Sequence, residues 1–137
     1  MSEFIIVPGI GGSGEAHWQT RWQQANPAMR RFSPADWHRP DLDDWIAALD
    51  LAIAAASAPP VLIAHSLGCL LVAHWQLASR RACAGALLVA VPDPAKPGTF
   101  FADFTDAAQT ALDRFRDAGM NIVKTRVPVA DWPGFAD

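Results

Sequence analysis

Short apolar runs alternate along the chain with stretches whose apolar residues recur every three to four positions. Phe4-Ile5-Ile6-Val7 is the first run, stopped by Pro8-Gly9, and reads as a strand buried on both faces. A glycine-rich loop from Gly9 to Gly14 follows. Glu15 to Ala25 then places Trp18, Trp22 and Ala25 at helical spacing, and Asn26-Pro27 ends that helix. Met29 to Phe32 is a weaker second strand, and Ser33 to Leu42 a loop rich in Pro, Asp and Trp. Asp41 or Asp43 is placed to cap a helix running to about Ala56, with Trp45, Ile46, Leu49 and Ile53 on one stripe. After Pro59-Pro60, Val61 to Ala64 predicts a third strand, Leu67 to about Ser79 a helix, and Ala84 to Val91 a fourth strand. Arg80 and Arg81 suit the C-terminal end of that helix.

Strand and helix alternating at short spacing predict βαβ units, hence an α/β fold with helices on both faces of a mostly parallel sheet. The pattern changes after Pro92. Phe100 to Arg116 predicts an amphipathic helix with Phe104, Ala108, Leu112 and Phe115 on one stripe, stopped by Gly119. Asn121 to Val127 is a candidate fifth strand, and Pro128 to Asp137 is loop-like. Residues 1–94 therefore read as the first part of a domain. Residues 95–137 read as a divergent helix–strand tail, either packed on the same domain or partly disordered.

Composition narrows the class. The 137 residues are 51% hydrophobic and 18% charged, enough for a buried core in one small domain. Net charge is −3 and only Arg30-Arg31 and Arg80-Arg81 cluster, so no nucleic-acid partner is expected. The apolar stretch Leu51 to Ala73 is broken by Pro59-Pro60 and carries His65-Ser66, which argues against a membrane span. Met1-Ser2-Glu3 lacks the basic start of a signal peptide. Cys69 and Cys83 have neither metal-ligand nor CxxC spacing, and Cys69 reads as a small buried hydrophobe. A soluble cytoplasmic protein is expected. Six Trp and no Tyr point to core and edge packing.

Two motifs carry chemistry. Gly9-Ile10-Gly11-Gly12-Ser13-Gly14 is a G-x-G-x-x-G between a strand and a helix, with Asp36 about 20 residues on, as in dinucleotide-binding folds. Two features weigh against that use: Pro8 separates strand from glycine, and Glu15-Ala16-His17-Trp18 follows where small apolar residues should pack on the sheet. The second motif is Ala64-His65-Ser66-Leu67-Gly68 between strand and helix. A nucleophile elbow needs small residues two before and two after its serine so that strand and helix can approach. Ala64 and Gly68 meet that need, with Ala in place of the more usual Gly. The Leu67 N–H is one expected oxyanion donor, and the Ile10 or Gly11 N–H of the glycine loop the second. One scaffold then accounts for both motifs. The competing reading of Ser66 is an ordinary helix cap.

Three segments in order carry a resemblance: Pro8-Gly9-Ile10-Gly11-Gly12-Ser13 with His17-Trp18-Gln19, Asp36-Trp37-His38-Arg39-Pro40-Asp41 with Asp44-Trp45, and Ala64-His65-Ser66-Leu67-Gly68-Cys69. Over about residues 3–94 the chain resembles the retinoblastoma-binding-protein-9-like serine hydrolases, a family of small α/β hydrolases. The resemblance implies a three-layer α/β-hydrolase-like fold without a large lid, here truncated to about four or five strands. It also implies a Ser-Asp-His triad, hydrolysis of ester or related acyl bonds of a small-molecule substrate, and no cofactor or metal.

In that family the acid and the histidine follow the nucleophile. Here the four histidines are His17, His38, His65 and His74. Asp93 and Asp131 lie where an acid belongs, but no histidine stands with them to be oriented. A serine hydroxyl needs an adjacent base, and loss of the triad leaves only about 10³–10⁴-fold catalysis over water. His17, His65 and Trp18 are candidate pocket residues. His65 is expected to point away from the nucleophile, while His74 lies too far along its helix to reach it and His38 is a solvated loop residue. Asp36 and Asp41 are expected to fix the Trp-rich loop. The sequence thus points to a serine hydrolase with Ser66 as nucleophile and an incomplete triad. Alternatives are a non-catalytic fragment or pseudo-hydrolase binding module, and a dinucleotide-binding domain. A shortened sheet also predicts self-association through an exposed edge.

Overall fold

The structure is a computed structural model that describes residues 3–92, 102–106 and 108–117. Strand β1 (Phe4–Val7) sits inside a four-stranded sheet of order β2-β1-β3-β4, with β2 at Arg30–Arg31, β3 at Val61–His65 and β4 at Gly85–Val89. Every pairing is parallel, with Ile6 opposite Ile63 and Val7 opposite Ala64. The helices are α1 (Trp18–Ala25), α2 (Leu42–Ala54), α3 (Leu67–Ala78), α4 (Ala102–Thr105) and α5 (Ala108–Asp117). The expected α/β class is the observed one.

Side chains alternate between the two sheet faces. Ile5, Val7, Leu62, Ala64, Ala86 and Leu88 join one core with Trp45, Leu49 and Ile53 of α2 and Leu70, Leu71 and Trp75 of α3. Ile6, Ile63 and His65, also buried, point to the other face, where α1 lies. The short apolar runs are strands because both sides are covered.

The elements differ from expectation at their edges. Helix α1 starts at Trp18 rather than Glu15, because the His17 ring accepts the Gln19 N–H and caps it. Asp41, not Asp43, caps α2 by accepting the Asp44 N–H. The predicted helix Phe100–Arg116 is split around Thr105-Asp106, both poor helix formers. Phe104 still enters the core, its ring 5.6 Å from Trp45, and Ala108, Ala111 and Leu112 are buried in the same cluster. Asn121–Val127, Gly119, Asp93 and Asp131 lie outside the described residues. Among the described residues no helix is long and apolar enough to cross a membrane.

The chain winds outward from β1 to β2, then returns to place β3 on the other side of β1. The carboxyl ends of β1 and β3 are therefore neighbours at the point where the winding reverses. In open α/β sheets that crevice is where ligands bind.

Candidate active site

Ser66 stands at this crevice, between the last residue of β3 and the first of α3. Its backbone is at φ 53°, ψ −122°, a sparsely populated conformation for a non-glycine residue. Such strain costs roughly 1–3 kcal/mol and persists only where surrounding structure enforces it. The enforcement is visible. The Ser66 N–H donates to the Val89 carbonyl at 3.0 Å, and the buried Cys69 thiol donates to the same oxygen at 3.3 Å. Gly68 lets α3 descend onto β1: a Cβ there would lie 2.2 Å from the Val7 oxygen. Burial also pushes the Cys69 thiol pKa upward, so it stays a neutral donor.

An ordinary helix cap has extended backbone and accepts a backbone N–H through its side chain. Ser66 has neither property, since its side chain makes no cap hydrogen bond. The capping explanation for this serine is therefore removed.

The glycine loop lies directly against this turn. A Cβ on Gly9 would meet the Leu67 nitrogen at 3.1 Å and the His65 oxygen at 3.2 Å. The next residues, Ile10–Gly12, form a 3-10 turn with Ile10 half exposed. The Gly11 N–H, one of the two expected loop donors, is committed to the Trp37 carbonyl at 2.9 Å. Gly12 is at φ +76°, and a side chain there would also strike the Trp37 ring at 2.8 Å.

The dinucleotide reading fails on the third glycine. That fingerprint requires Gly where helix and strand pack closely. A Cβ on Gly14 would meet nothing within 4 Å, and α1 begins only at Trp18. Asp36, the supposed ribose ligand, accepts the His38 and Arg39 backbone N–H groups and so holds the Trp-rich loop.

Three predicted pocket residues come together on the α1 side. The His17 and His65 rings are 4.6 Å apart edge to face, and Trp18 is 5.9 Å from His65. Burial, with the nearby His17 second, pushes the His65 pKa down to about 4, so its imidazole is neutral near pH 7. The other two histidines go elsewhere. His74 hydrogen-bonds the Phe104 carbonyl at 2.9 Å, and His38 is exposed in the Trp-rich loop. Among the described residues no group of three or more His, Cys, Asp or Glu is arranged to hold a metal.

Gln19 was not legible as a site residue by itself, although it stands in the His17-Trp18-Gln19 motif. It is fully buried, donates to the Ile63 carbonyl at 2.9 Å, and accepts the Ser13 hydroxyl at 2.6 Å. It thus ties the loop to the end of the sheet. Arg31 reaches the same loop from β2, and burial lowers its pKa.

Fold and site together define an α/β-hydrolase-type protein. The chain matches the family described as "Serine hydrolase" over residues 4–123, and it belongs to that family. The match runs past residue 94, where the motif resemblance stops, so the family relationship includes α4 and α5. Among solved structures, the chain is similar to a protein described as a YdeN-like hydrolase from Pectobacterium atrosepticum. The identity is 24% and the TM-score 0.67, covering 90% of this chain and 77% of that one. It is also similar to the ydeN gene product of B. subtilis, at 18% identity and TM-score 0.56, covering 92% and 86% of the two chains. These likenesses show the fold. No curated protein matches the chain.

Proposed function

We propose that the chain is a serine hydrolase of ester or related acyl bonds, with Ser66 as the nucleophile. The finer placement near the retinoblastoma-binding-protein-9-like branch is part of this reading and rests on the three ordered motifs. One observation carries it. Ser66 is held at positive φ at the sheet's switch point with its hydroxyl unused as a cap, a strained arrangement that helix formation alone does not require.

In this reading the Ser66 oxygen attacks the acyl carbonyl of a small-molecule ester. The tetrahedral adduct collapses with loss of the alcohol, which carries off the serine proton, and water then cleaves the acyl-serine to free the acid and Ser66. The carbonyl oxygen becomes an oxyanion received by the Leu67 N–H and the Ile10 N–H. The N-terminus of α3 adds a favourable dipole. Ile10 rather than Gly11 serves as the loop donor, because the Gly11 N–H already bonds Trp37. His17, Trp18 and His65 flank the site on the α1 side, and no cofactor takes part.

A second reading, a pseudo-hydrolase that binds without turnover, is favoured by the histidines. None of the four follows residue 74, and only His17 and His65 stand near the strand ends. Hydrolysis of short-chain p-nitrophenyl esters separates the two. Turnover abolished by Ser66→Ala supports the enzyme, whereas folded protein with no turnover above the Ser66→Ala background leaves the pseudo-hydrolase.

A further inference from the structure

The glycine loop holds an improbable backbone. Gly11, Gly12 and Ser13 are three successive residues at positive φ, of 83°, 76° and 56°, and the third is not glycine. Glycine takes such angles without steric cost, but Ser13 does not, so its conformation requires outside restraint.

Arg31 supplies much of that restraint. Its Nη1 donates to the Gly12 carbonyl and, at 3.3 Å, to the Ser13 carbonyl. Its Nη2 donates to the Thr20 hydroxyl at 3.0 Å, and that hydroxyl donates to the Ser13 carbonyl at 2.7 Å. Its Nε donates to the Gln23 side-chain oxygen at 3.0 Å. All four acceptors are uncharged. A half-buried cation hydrogen-bonded to neutral oxygens is a poor device for stability, because its desolvation is not repaid by a counter-charge. It is a good device for fixing an array of carbonyls, which a planar five-donor fork can grip at several points.

The grip leads to the reacting atoms. Gly12 donates its N–H to the Gly9 carbonyl at 3.1 Å. That carbonyl belongs to the same peptide unit as the Ile10 N–H. Holding Gly12 therefore holds the plane of the Gly9–Ile10 peptide, which packs against Leu67 beside Ser66. Acceptance at the carbonyl also polarises the N–H on the far side of the peptide.

We propose that Arg31 is a positioning residue for the serine chemistry, locking the glycine loop so that the Ile10 N–H is presented to the oxyanion. The inference rests on the reading of Ser66 as nucleophile.

The test is the rate at which the full chain is labelled by a fluorophosphonate at rising probe concentration, followed by intact mass. Arg31→Gln and Arg31→Lys are expected to lower the maximal labelling rate about 100-fold, the order for a catalytic group misplaced by about 1 Å and the lower end for a lost oxyanion donor. The half-saturating probe concentration stays near that of the parent protein. Lysine does not rescue, because one ammonium cannot span Gly12, Thr20 and Gln23. Thr20→Val keeps the guanidinium and its direct bond to Ser13 but removes the hydroxyl that bridges the two, and slows labelling less. Arg30→Gln, next along β2, labels like the parent protein. A purely structural role for Arg31 would lower the melting temperature and leave the rate of the folded fraction unchanged. Parent-like labelling in the Arg31 and Thr20 variants would overturn the proposal. A parent protein unlabelled at Ser66 would overturn the nucleophile reading first, and this proposal with it.

Discussion

A β-carbon on Gly68 would lie 2.2 Å from the carbonyl oxygen of Val7. That one approach joins the first turn of α3 to the end of β1, and so sets Leu67 and Ser66 beside the glycine loop. The obstacle is backbone, which no change of rotamer relieves. Gly68→Ala is expected to destabilise the protein by about 2 kcal/mol or more through overpacking. Chemical denaturation measures this, and an unchanged midpoint would mean that α3 does not sit on β1 as described.

The glycines of the loop are unequal. Gly12→Ala combines positive φ with a contact of 2.8 Å to the Trp37 ring, so it should displace the Trp-rich loop and lower stability. Gly14→Ala meets open space and should be neutral or slightly stabilising, since alanine restricts the unfolded chain. Thermal unfolding of both variants checks the contrast. A dinucleotide fingerprint predicts the opposite sensitivity at Gly14.

His65 makes stability depend on pH. Its pKa is depressed from the ordinary 6.5 to about 4, so the unfolded chain binds the proton more readily than the folded one. The stability due to neutral, buried His65 is complete above about pH 6.5 and is lost as pH falls toward 4. At about 1.4 kcal/mol per pH unit, the loss over that window reaches roughly 3 kcal/mol. Urea unfolding between pH 7 and pH 4.5 should show this slope, and His65→Asn should flatten it. An equal slope in the variant would place the titration on another group.

Much of this was legible locally. Phe4–Val7 and Val61 to Ala64 are apolar runs that read as strands covered on both faces, and of the two candidate caps, Asp41 and Asp43, Asp41 holds the helix start. The Ala64 to Gly68 spacing marked the turn because its constraint is steric and adjacent in sequence. Gln19 and Arg31 were hidden for the opposite reason. Their partners Ile63 and Gly12 lie 44 and 19 residues away, and become neighbours only when β2, β1 and β3 take their order in the sheet. Gly11 looked equivalent to Ile10 until Trp37 claimed its N–H. The start of α1 moved to Trp18 because an imidazole nitrogen at His17 acts as a cap, a use the helical periodicity does not register.

The central claim concerns the hydroxyl of Ser66. Intact-mass analysis of the folded chain after incubation with a fluorophosphonate tests it most directly. The account predicts one adduct, located on Ser66 by peptide mapping and absent from Ser66→Ala. Folded protein that acquires no adduct, or an adduct that persists in Ser66→Ala, would contradict it.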